Sequence, residues 1–307
     1  ALVPNTSTGL NIVANILEYP PGANVVVTDL EYPSVVYPWL RRRLGVKVKY
    51  VKNVDGRICP EDVEKDVDDN TVAVAVSHVE YSNGFRHDLK SLAQIAHEHG
   101  AFLIIDGIQS LGAIEFDVKR DDVDFLATSC YKWLLGPVGA GFLYVRQELI
   151  GKLEPPFIGW ASMKPEVYKT IDLWNNTELN LSDDCSRFEV GQPSIISYAG
   201  VAAALQMILN VGIRNIQKRI MNLTDYLIED LKDLGLRLQT PEDRECRSGI
   251  VNFKIEDPEK IVAKMSESNI IISARAKGIR VSPHFYNTKD EIANFVETLC
   301  RIGKVAA

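Results

Sequence analysis

The sequence lacks several features that would direct it to particular classes of protein. It has no apolar run near the roughly 20 residues that a membrane-spanning helix requires. It has no excess of positive charge, and a net charge of −7 disfavours binding to nucleic acid or to acidic membrane surfaces. Its five cysteines are odd in number and without Cys-x-x-Cys spacing. They predict free thiols in a reducing compartment, so we expect a cytoplasmic protein.

The first residues lack both an initiator methionine and the charged and apolar regions of a signal peptide. Instead, Ala1-Leu2-Val3-Pro4 leads directly into what reads as an internal loop. We therefore expect that a leading segment is missing from this sequence, and a targeting signal in such a segment would not be visible.

Short apolar runs alternate with helical patterns over the first half of the chain. The predicted strands are 24–28, 46–51, 71–77, 101–106, 125–128 and 142–145, and the predicted helices lie near 9–19, 34–44, 60–67 and 89–99. This alternation is typical of βαβ units around a mostly parallel sheet. Strand 71–77 is apolar on both faces, which fits a sheet that is covered on both sides.

A different pattern follows from about residue 194. Two long helices are predicted at 197–210 and 213–234, then a strand at 249–255, a helix at 258–268, strands at 270–273 and 279–282, and a last helix with a capping box at Thr288. We expect a large domain over 1–203 and a smaller α+β domain over 204–307. The weakly periodic segment 154–184 predicts long loops.

Two side chains carry the strongest chemical signal. Asp106 ends a buried hydrophobic strand, and Lys132 shortly precedes a glycine-rich turn at 136–141. Pyridoxal phosphate chemistry needs such a pair, because the lysine holds the cofactor as a Schiff base and the carboxylate keeps the pyridine nitrogen protonated. Thr6 and Ser7 open the first helix, where hydroxyls and free N–H groups form either an anion site or an ordinary N-cap.

Together these segments resemble the class V aminotransferase family of fold type I pyridoxal phosphate enzymes. The similar motifs, in family order, are Asp-Gly-Ile-Gln at 106–109, Ser-Cys-Tyr-Lys at 129–132, Arg-Phe-Glu-Val-Gly-Gln-Pro at 187–193 and Gly-Ile-Arg-Val-Ser-Pro at 278–283. The resemblance implies an α/β fold of type I, pyridoxal 5'-phosphate as the cofactor, and a homodimer with a shared active site. It implies no metal.

The resemblance also implies roles for individual residues. Lys132 would form the Schiff base and act as general base, Asp106 would pair with the pyridine nitrogen, and Gln109 would reach the ring hydroxyl. Arg280 would grip the substrate α-carboxylate, since the planar guanidinium meets a carboxylate bidentately. Arg275 is a candidate helper. The further predicted cofactor-binding residues are Thr6, Ser7, Tyr32, Ser129, Tyr131 and Gln192.

Some positions depart from the family pattern. Tyr32 stands where the family has a histidine that stacks on the cofactor ring; a phenol stacks equally well but does not shuttle protons near neutral pH. The alternative for Tyr32 is a partly buried surface aromatic. Gln192 replaces a threonine that reaches the phosphate of the partner subunit, and its amide still donates hydrogen bonds. The alternative for that motif is a loop ion pair between Arg187 and Glu189.

We expect an enzyme that acts on the α-amino group or α-carbon of an amino acid, and an aminotransferase fits best. Desulfurases carry a nucleophilic cysteine on a long mobile loop before the carboxylate-binding arginine, but the connection 273–280 is short and has no cysteine. The alternatives are a lyase resembling cysteine desulfurase or selenocysteine lyase, and an amino-acid epimerase, because the same motifs serve all three reactions. A non-catalytic binding domain is a minor alternative.

Overall fold

The computed structural model describes residues 1–167 and 177–303. Its larger sheet has seven strands: β1 (Leu2–Val3), β2 (Asn24–Thr28), β3 (Lys47–Val51), β4 (Thr71–Ser77), β5 (Phe102–Asp106), β6 (Phe125–Ser129) and β7 (Gly141–Val145). They lie in the order β1-β7-β6-β5-β4-β2-β3. Strands β2 to β6 pair in parallel, and β7 is antiparallel to both β6 and β1. The prediction of a mostly parallel sheet is confirmed.

Helices cover both faces of this sheet. They are α1 (Thr6–Ile16), α2 (Pro33–Val36), α3 (Pro60–Glu64), α4 (Leu89–Glu98) and α5 (Gln147–Ile150). Val25 and Val27 of β2 pack in the cluster that contains α1, whereas Val26 packs in the cluster that contains α4. Successive side chains of one strand thus enter two different cores, which explains why the strands are apolar on both faces.

A second sheet lies in the C-terminal part of the chain. Two long helices, α6 (Ile195–Val211) and α7 (Ile213–Asp233), lead to β8 (Val251–Lys254), α8 (Pro258–Glu267), β9 (Ser273–Arg275), β10 (Gly278–Val281) and α9 (Lys289–Gly303). The strands are antiparallel in the order β8-β10-β9. The predicted domain boundary after residue 203 falls within α6 and stays a prediction.

The capping box before α9 is present. The Thr288 amide donates to Glu291 Oε2 at 2.7 Å, and the Glu291 amide donates to Thr288 Oγ1 at 3.2 Å. These two bonds satisfy donors that the first turn of a helix leaves unpaired, so the predicted helix start is confirmed.

Two predicted elements differ from the structure. The strand expected at 270–273 is wrong, because only Ser273 of that segment joins a ladder; Ile270 and Ile272 instead pack on the small-domain core while Ile271 is exposed. The helix expected at 34–44 is wrong beyond Val36, where it gives way to 3₁₀ turns at Tyr37–Leu40 and Arg42–Leu44. Pro38, which has no N–H for a helical hydrogen bond, accounts for that early end.

The loop prediction for 154–184 agrees with the described part of that segment. That part has short 3₁₀ turns at Trp160–Ser162 and Pro165–Val167 and one isolated bridge between Met163 and Leu181. Residues 168–176 lie outside the described residues. Within the described part of the chain, no single helix has the length and apolarity to cross a membrane. The pair α6 and α7, bent by 80° at their junction, meets that test only when taken together.

The parallel strands bring their carboxyl ends to one edge of the large sheet. Ser77, Asp106 and Ser129 are the last residues of β4, β5 and β6, and Ser77 lies opposite Asp106 in the ladder. The helix α1 begins beside this edge, because a Thr6 hydroxyl contacts Ser129. Open α/β sheets bind their ligands outside the carboxyl ends of the strands, so we expect a ligand site at this edge.

Candidate active site

One cavity of about 530 Å³ lies at this edge and gathers nearly all predicted site residues. It is lined by Asn5, Thr6, Ser7, Tyr32, Ser34, Tyr81, Asp106, Ile108, Gln109, Ser129, Tyr131, Lys132, Arg275 and Arg280. The sequence-predicted residue that lies elsewhere is Gln192. The cavity therefore combines residues from the start of α1, the ends of β5 and β6, and the small-domain hairpin.

Hydroxyl groups at the start of α1 form one end of the cavity. The Thr6 amide donates to Ser129 Oγ at 2.8 Å, and the Oγ1 of Thr6 lies 2.9 Å from the same atom. The Ser7 and Ser34 hydroxyls lie 2.7 Å apart. A Cβ at Gly9 would lie 2.8 Å from the Ala127 Cβ, so glycine lets the helix approach β6 closely. Hydroxyls at a helix N-terminus suit a phosphate group.

Asp106 is a buried carboxylate at the floor of the cavity. Its Oδ1 accepts a hydrogen bond from the Ile108 amide at 2.9 Å, and the side chain forms no ion pair with any residue that the structure describes. Burial raises the pKa of Asp106 to about 6, although the Ile108 amide and the charge of Lys132 oppose this. A buried carboxylate without a counterion is well suited to pair with a cationic ring nitrogen.

Lys132 follows β6 and is held in place through its neighbour Trp133. The Trp133 indole N–H donates to Gln109 Oε1 at 3.1 Å, and the Trp133 carbonyl lies 3.0 Å from His284 Nε2. Burial lowers the pKa of the Lys132 amine; Asp106 opposes this, and Arg280 adds to it. An amine with a lowered pKa is a better nucleophile and base near neutral pH.

The bond between Trp133 and Gln109 also bears on the predicted role of Gln109. Because its oxygen accepts from Trp133, its Nε2 hydrogens are the atoms available as donors toward a ring hydroxyl.

Three tyrosines stand around the cavity. Tyr32 is 47% exposed, and its ring centroid lies 6.0 Å from Lys132 Nζ, so the ring borders the cavity and is not a remote surface aromatic. Tyr32 packs edge-on against Tyr81, with ring centroids 5.2 Å apart. The exposed ring of Tyr131 completes the group. Aromatic faces at this position can cover a planar ligand.

Two arginines from the small-domain hairpin form the other end of the cavity. Arg280 of β10 donates from its Nη1 to the Tyr81 carbonyl at 2.8 Å, while its buried Nε has no hydrogen-bond partner in the described part of the chain. Arg275 of β9 donates to its neighbouring Ala274 carbonyl. An orphaned buried Nε beside an open cavity fits a site that receives a carboxylate.

A polar cluster of Glu31, Glu80 and His87 lies next to two residues of the cavity lining, Tyr32 and Tyr81. Glu31 accepts from both the amide and the hydroxyl of Ser77 at 2.7 Å, and Glu80 Oε1 accepts from Thr28 and lies 3.1 Å from His87 Nε2. Burial raises the pKa of Glu80 to about 8, and burial followed by the charge of Glu80 raises the pKa of Glu31. The two carboxyl groups share one cluster, and the raised pKa of each favours its neutral, protonated form.

Sequence reasoning missed this cluster. One ligand atom from each of Glu31, Glu80 and His87 lies within 4.8 Å of the others, which is also a spacing that a divalent cation could bridge. A signal was present in the sequence, since Glu31 directly precedes Tyr32 and Glu80 directly precedes Tyr81. The cluster therefore anchors the backbone of two cavity-lining tyrosines.

Gln192 lies in a second depression of about 360 Å³, with Leu2, Phe157 and Val190 among its lining residues. Its predicted contact with the cofactor of a partner subunit stays a prediction. The alternative ion pair between Arg187 and Glu189 is not formed in the described structure. Arg187 donates to the Ile150 carbonyl, and Glu189 accepts from the Leu2 amide.

All five cysteines lie within the described residues, and none of them lines the 530 Å³ cavity. Cys130 is buried, and burial raises the pKa of its thiol to about 11. The connection from β9 to β10 is a two-residue turn, Ala276 and Lys277, both with positive φ. Such a turn belongs to a tight hairpin and offers no mobile loop.

Comparisons with known proteins agree with this architecture. The family model for the aminotransferase class V matches residues 2–295. The uncharacterized aminotransferase YcbU of Bacillus subtilis is 30% identical, over 97% of this chain and 78% of its own. A probable cysteine desulfurase of Methanothermobacter thermautotrophicus is 33% identical over the same two shares, 97% and 78%.

Solved structures show the same fold. The apo cysteine desulfurase of Thermococcus onnurineus superposes with a TM-score of 0.88 at 29% identity, covering 99% of this chain and 79% of that one. The cystine C–S lyase C-DES, solved with its product cysteine persulfide, superposes with a TM-score of 0.89 at 24% identity, covering 99% of this chain and 81% of that one.

The fold and the cavity define an α/β protein of fold type I. The chain belongs to the class V aminotransferase family. This membership confirms the expected fold and the expected cofactor, pyridoxal 5'-phosphate. The cavity fits that group, with hydroxyls and a helix start for the phosphate, Asp106 for the ring nitrogen and the amine of Lys132. Neither Asp106 nor Lys132 has an ion-pair partner among the described residues. The role of each residue stays a prediction.

Proposed function

We propose that the protein is an aminotransferase that acts on an α-amino acid with pyridoxal phosphate. The observation that carries this proposal is the convergence of Asp106, Lys132 and Arg280 on one cavity, each without an ion-pair partner among the described residues. Charged groups without partners are costly in a folded chain, and a ligand of complementary charge offsets that cost.

The residues would divide the work as follows. Thr6, Ser7 and Ser129 bind the phosphate, Asp106 holds the ring nitrogen, and Arg280 binds the α-carboxylate of the substrate. Pyridoxal phosphate, when bound, supplies an electron sink for the α-carbon. Lys132 holds the cofactor through Nζ, takes the α-proton onto that atom after the substrate amine displaces it, and returns the proton at a second position.

Amino transfer is preferred to sulfur mobilisation because of the hairpin before Arg280. A protein persulfide needs a thiolate that reaches the cavity, and the two-residue turn between β9 and β10 has none. The second candidate is a cysteine-independent lyase, which is favoured by the similarity to proteins named probable cysteine desulfurase. Epimerisation at the same α-carbon remains a third reaction for the assay.

We also propose a homodimer. Apolar side chains at and near the start of α6 are exposed in the single chain, with Ile195 68% and Ile196 87% exposed. They directly follow Pro193 and Ser194, which line the depression that holds Gln192, and the family resemblance assigns Gln192 to a subunit contact. A second copy would bury this surface. A fully loaded, active monomer in light scattering would contradict the proposal. The cytoplasmic location stays a prediction.

The test of function begins with the attachment site. The purified protein is loaded with pyridoxal phosphate, reduced with borohydride and mapped by peptide mass spectrometry, and the adduct is expected on Lys132. Lys132→Ala should lose the adduct, while the control Lys52→Ala, at a lysine whose side chain is 77% exposed, should keep it. An adduct on another lysine sinks the assignment.

The reaction is then identified with one substrate panel. Each amino acid is assayed for keto acid formed with an acceptor, for sulfide released, and for inversion at the α-carbon. Keto acid in excess over sulfide and inversion supports the aminotransferase, and rapid sulfide release without keto transfer supports the lyase.

A further inference from the structure

We propose that the substrate end of the cavity accepts an amino acid with a second anionic group, a side-chain carboxylate or sulfur oxyacid, and that Arg275 binds that group. The inference rests on the proposed function, because it assumes that Arg280 takes the α-carboxylate. It narrows the substrate to a class that the catalytic motifs alone do not indicate.

The hairpin register places both guanidinium groups on one side of the small sheet. Arg275 lies opposite Gly278, and Gly278 and Arg280 are two residues apart on β10, so all three share a face. Arg275 and Arg280 are therefore diagonal neighbours. Gly278 between them has no side chain, and a Cβ there would come within 2.3 Å of the Phe253 carbonyl oxygen. Both arginines line the cavity.

Neither arginine has an acidic partner among the described residues. Arg275 donates to the Ala274 carbonyl, and Arg280 donates to the Tyr81 carbonyl. Some other arginines have acidic partners, as Arg146 has Asp124 at 2.9 Å and Arg247 has Asp225. Burial, and then the positive charge of Arg275, lower the pKa of Arg280, so an anion bound beside both guanidinium groups would relieve the repulsion between them.

A substrate with a single carboxylate supplies an anion for only one of the two guanidinium groups in the lining. Arg275, Arg280 and Lys132 contribute three cations, while Asp106 is the carboxylate in the lining. Asp106 is committed to the ring nitrogen, and the phosphate has the hydroxyls and N–H groups at the start of α1. The α-carboxylate neutralises Arg280. The guanidinium of Arg275 then has no anion in contact, and a second anionic group on the substrate would supply one.

A binding experiment tests this without turnover. Succinate and butyrate have the same four-carbon chain but two and one carboxylates, and each is titrated into the cofactor-loaded protein by calorimetry. We expect the parent to bind succinate more tightly than butyrate. Arg275→Met should lower the affinity for succinate roughly three- to tenfold and leave the affinity for butyrate within about twofold of the parent value. Arg275→Lys keeps the positive charge but loses the planar guanidinium, so its affinity for succinate should lie between those of the parent and Arg275→Met.

Lys277→Met is the matched control. Lys277 is an exposed cation in the same hairpin that does not line the cavity, so its loss should leave both affinities unchanged. The same variants are assayed with aspartate and cysteine sulfinate against alanine as amino donors. Arg275→Met should raise the KM for the two dianionic donors and leave that for alanine within about twofold.

The outcomes separate this inference from the proposed function. If succinate binds the parent no better than butyrate, or if Arg275→Met weakens both equally, the inference is wrong even when the cofactor is attached to Lys132 and alanine is transaminated. If no adduct forms on Lys132, the proposed function fails, and this inference fails with it.

Discussion

Replacing Asp106 with asparagine should stabilise the cofactor-free protein at neutral and alkaline pH and at the same time weaken cofactor binding and turnover. The carboxylate is 2% exposed and has no cationic partner in contact within the described structure, so folding removes its charge from water with little compensation. Asparagine has nearly the same shape and keeps an oxygen for the Ile108 amide. The substitution therefore removes the charge and keeps the packing.

The size of the effect follows from the pKa. Burial raises the pKa of Asp106 from 3.8 to about 6. A raised pKa means that the stability associated with this group is fully present below about pH 3.8 and is lost as the pH rises through 6. The loss amounts to about 1 kcal/mol at pH 4.5 and about 3 kcal/mol at pH 8, at about 1.4 kcal/mol per unit. Asparagine does not titrate, so the variant avoids this pH-dependent loss of stability.

The assay is thermal unfolding of the cofactor-free parent and variant at pH 4.5 and pH 8. With about 2 °C per kcal/mol for a chain of this size, the advantage of Asp106→Asn should be about 4 °C larger at pH 8. Added pyridoxal phosphate should reverse the order, because the parent gains an ion pair that the variant lacks. Turnover of the variant should fall roughly 100- to 1,000-fold.

Asp124→Asn is the matched control. Asp124 is also buried, but Arg146 and His97 pair with it and the Leu103 amide donates to it. Its replacement should lower the melting temperature at both pH values. The reasoning about Asp106 is refuted if Asp106→Asn melts at or below the parent temperature at pH 8, or if turnover stays within twofold.

Three further predictions concern the surroundings of the cavity. Glu80→Gln should become more stable than the parent as the pH rises from 5 to 9, because burial raises the pKa of Glu80 to about 8 and makes its ionised form costly in the folded protein. Equal urea midpoints for parent and variant at pH 9 would contradict this. Tyr32→Phe should keep cofactor affinity and Tyr32→Ala should weaken it roughly tenfold, as measured by absorbance titration; equal loss in both would exclude stacking. Replacing all five cysteines with serine or alanine should leave amino transfer within about threefold, since none lines the cavity, and loss of rapid sulfide release in that variant would favour a persulfide.

Sequence patterns predicted the large sheet well because each central strand is a buried apolar run. Strand β4 begins and ends at the predicted residues, Thr71 and Ser77. The same pattern predicted Asp106 as the last residue of its strand and ended the next strand at Thr128, one residue before the observed end at Ser129. The parallel topology then brings these two strand ends together. These predictions succeed because they depend on local periodicity and on one general rule of α/β sheets.

Other features depend on contacts between distant parts of the chain. Glu31, Glu80 and His87 meet only because β2 and β4 are neighbours and the segment after β4 folds back on it, and no local pattern encodes that meeting. The segment 270–273 has strand-like composition, but Ile270 and Ile272 pack on the core without a ladder partner. Composition does not distinguish a paired strand from an extended segment.

Three charged residues of the cavity lack the ion pairs that other buried charges of the described chain form. Asp124 and Arg247 are buried charges elsewhere that have partners of opposite sign. Asp106, Lys132 and Arg280 do not, and they sit where the sheet edge, the start of α1 and the hairpin meet. Because an uncompensated charge in a low-dielectric site costs free energy, this arrangement lowers the stability of the ligand-free chain and increases the gain on binding. We therefore expect substitutions at these three positions to affect the ligand-free and the ligand-bound protein in opposite directions, so their effects on stability are measured in both states.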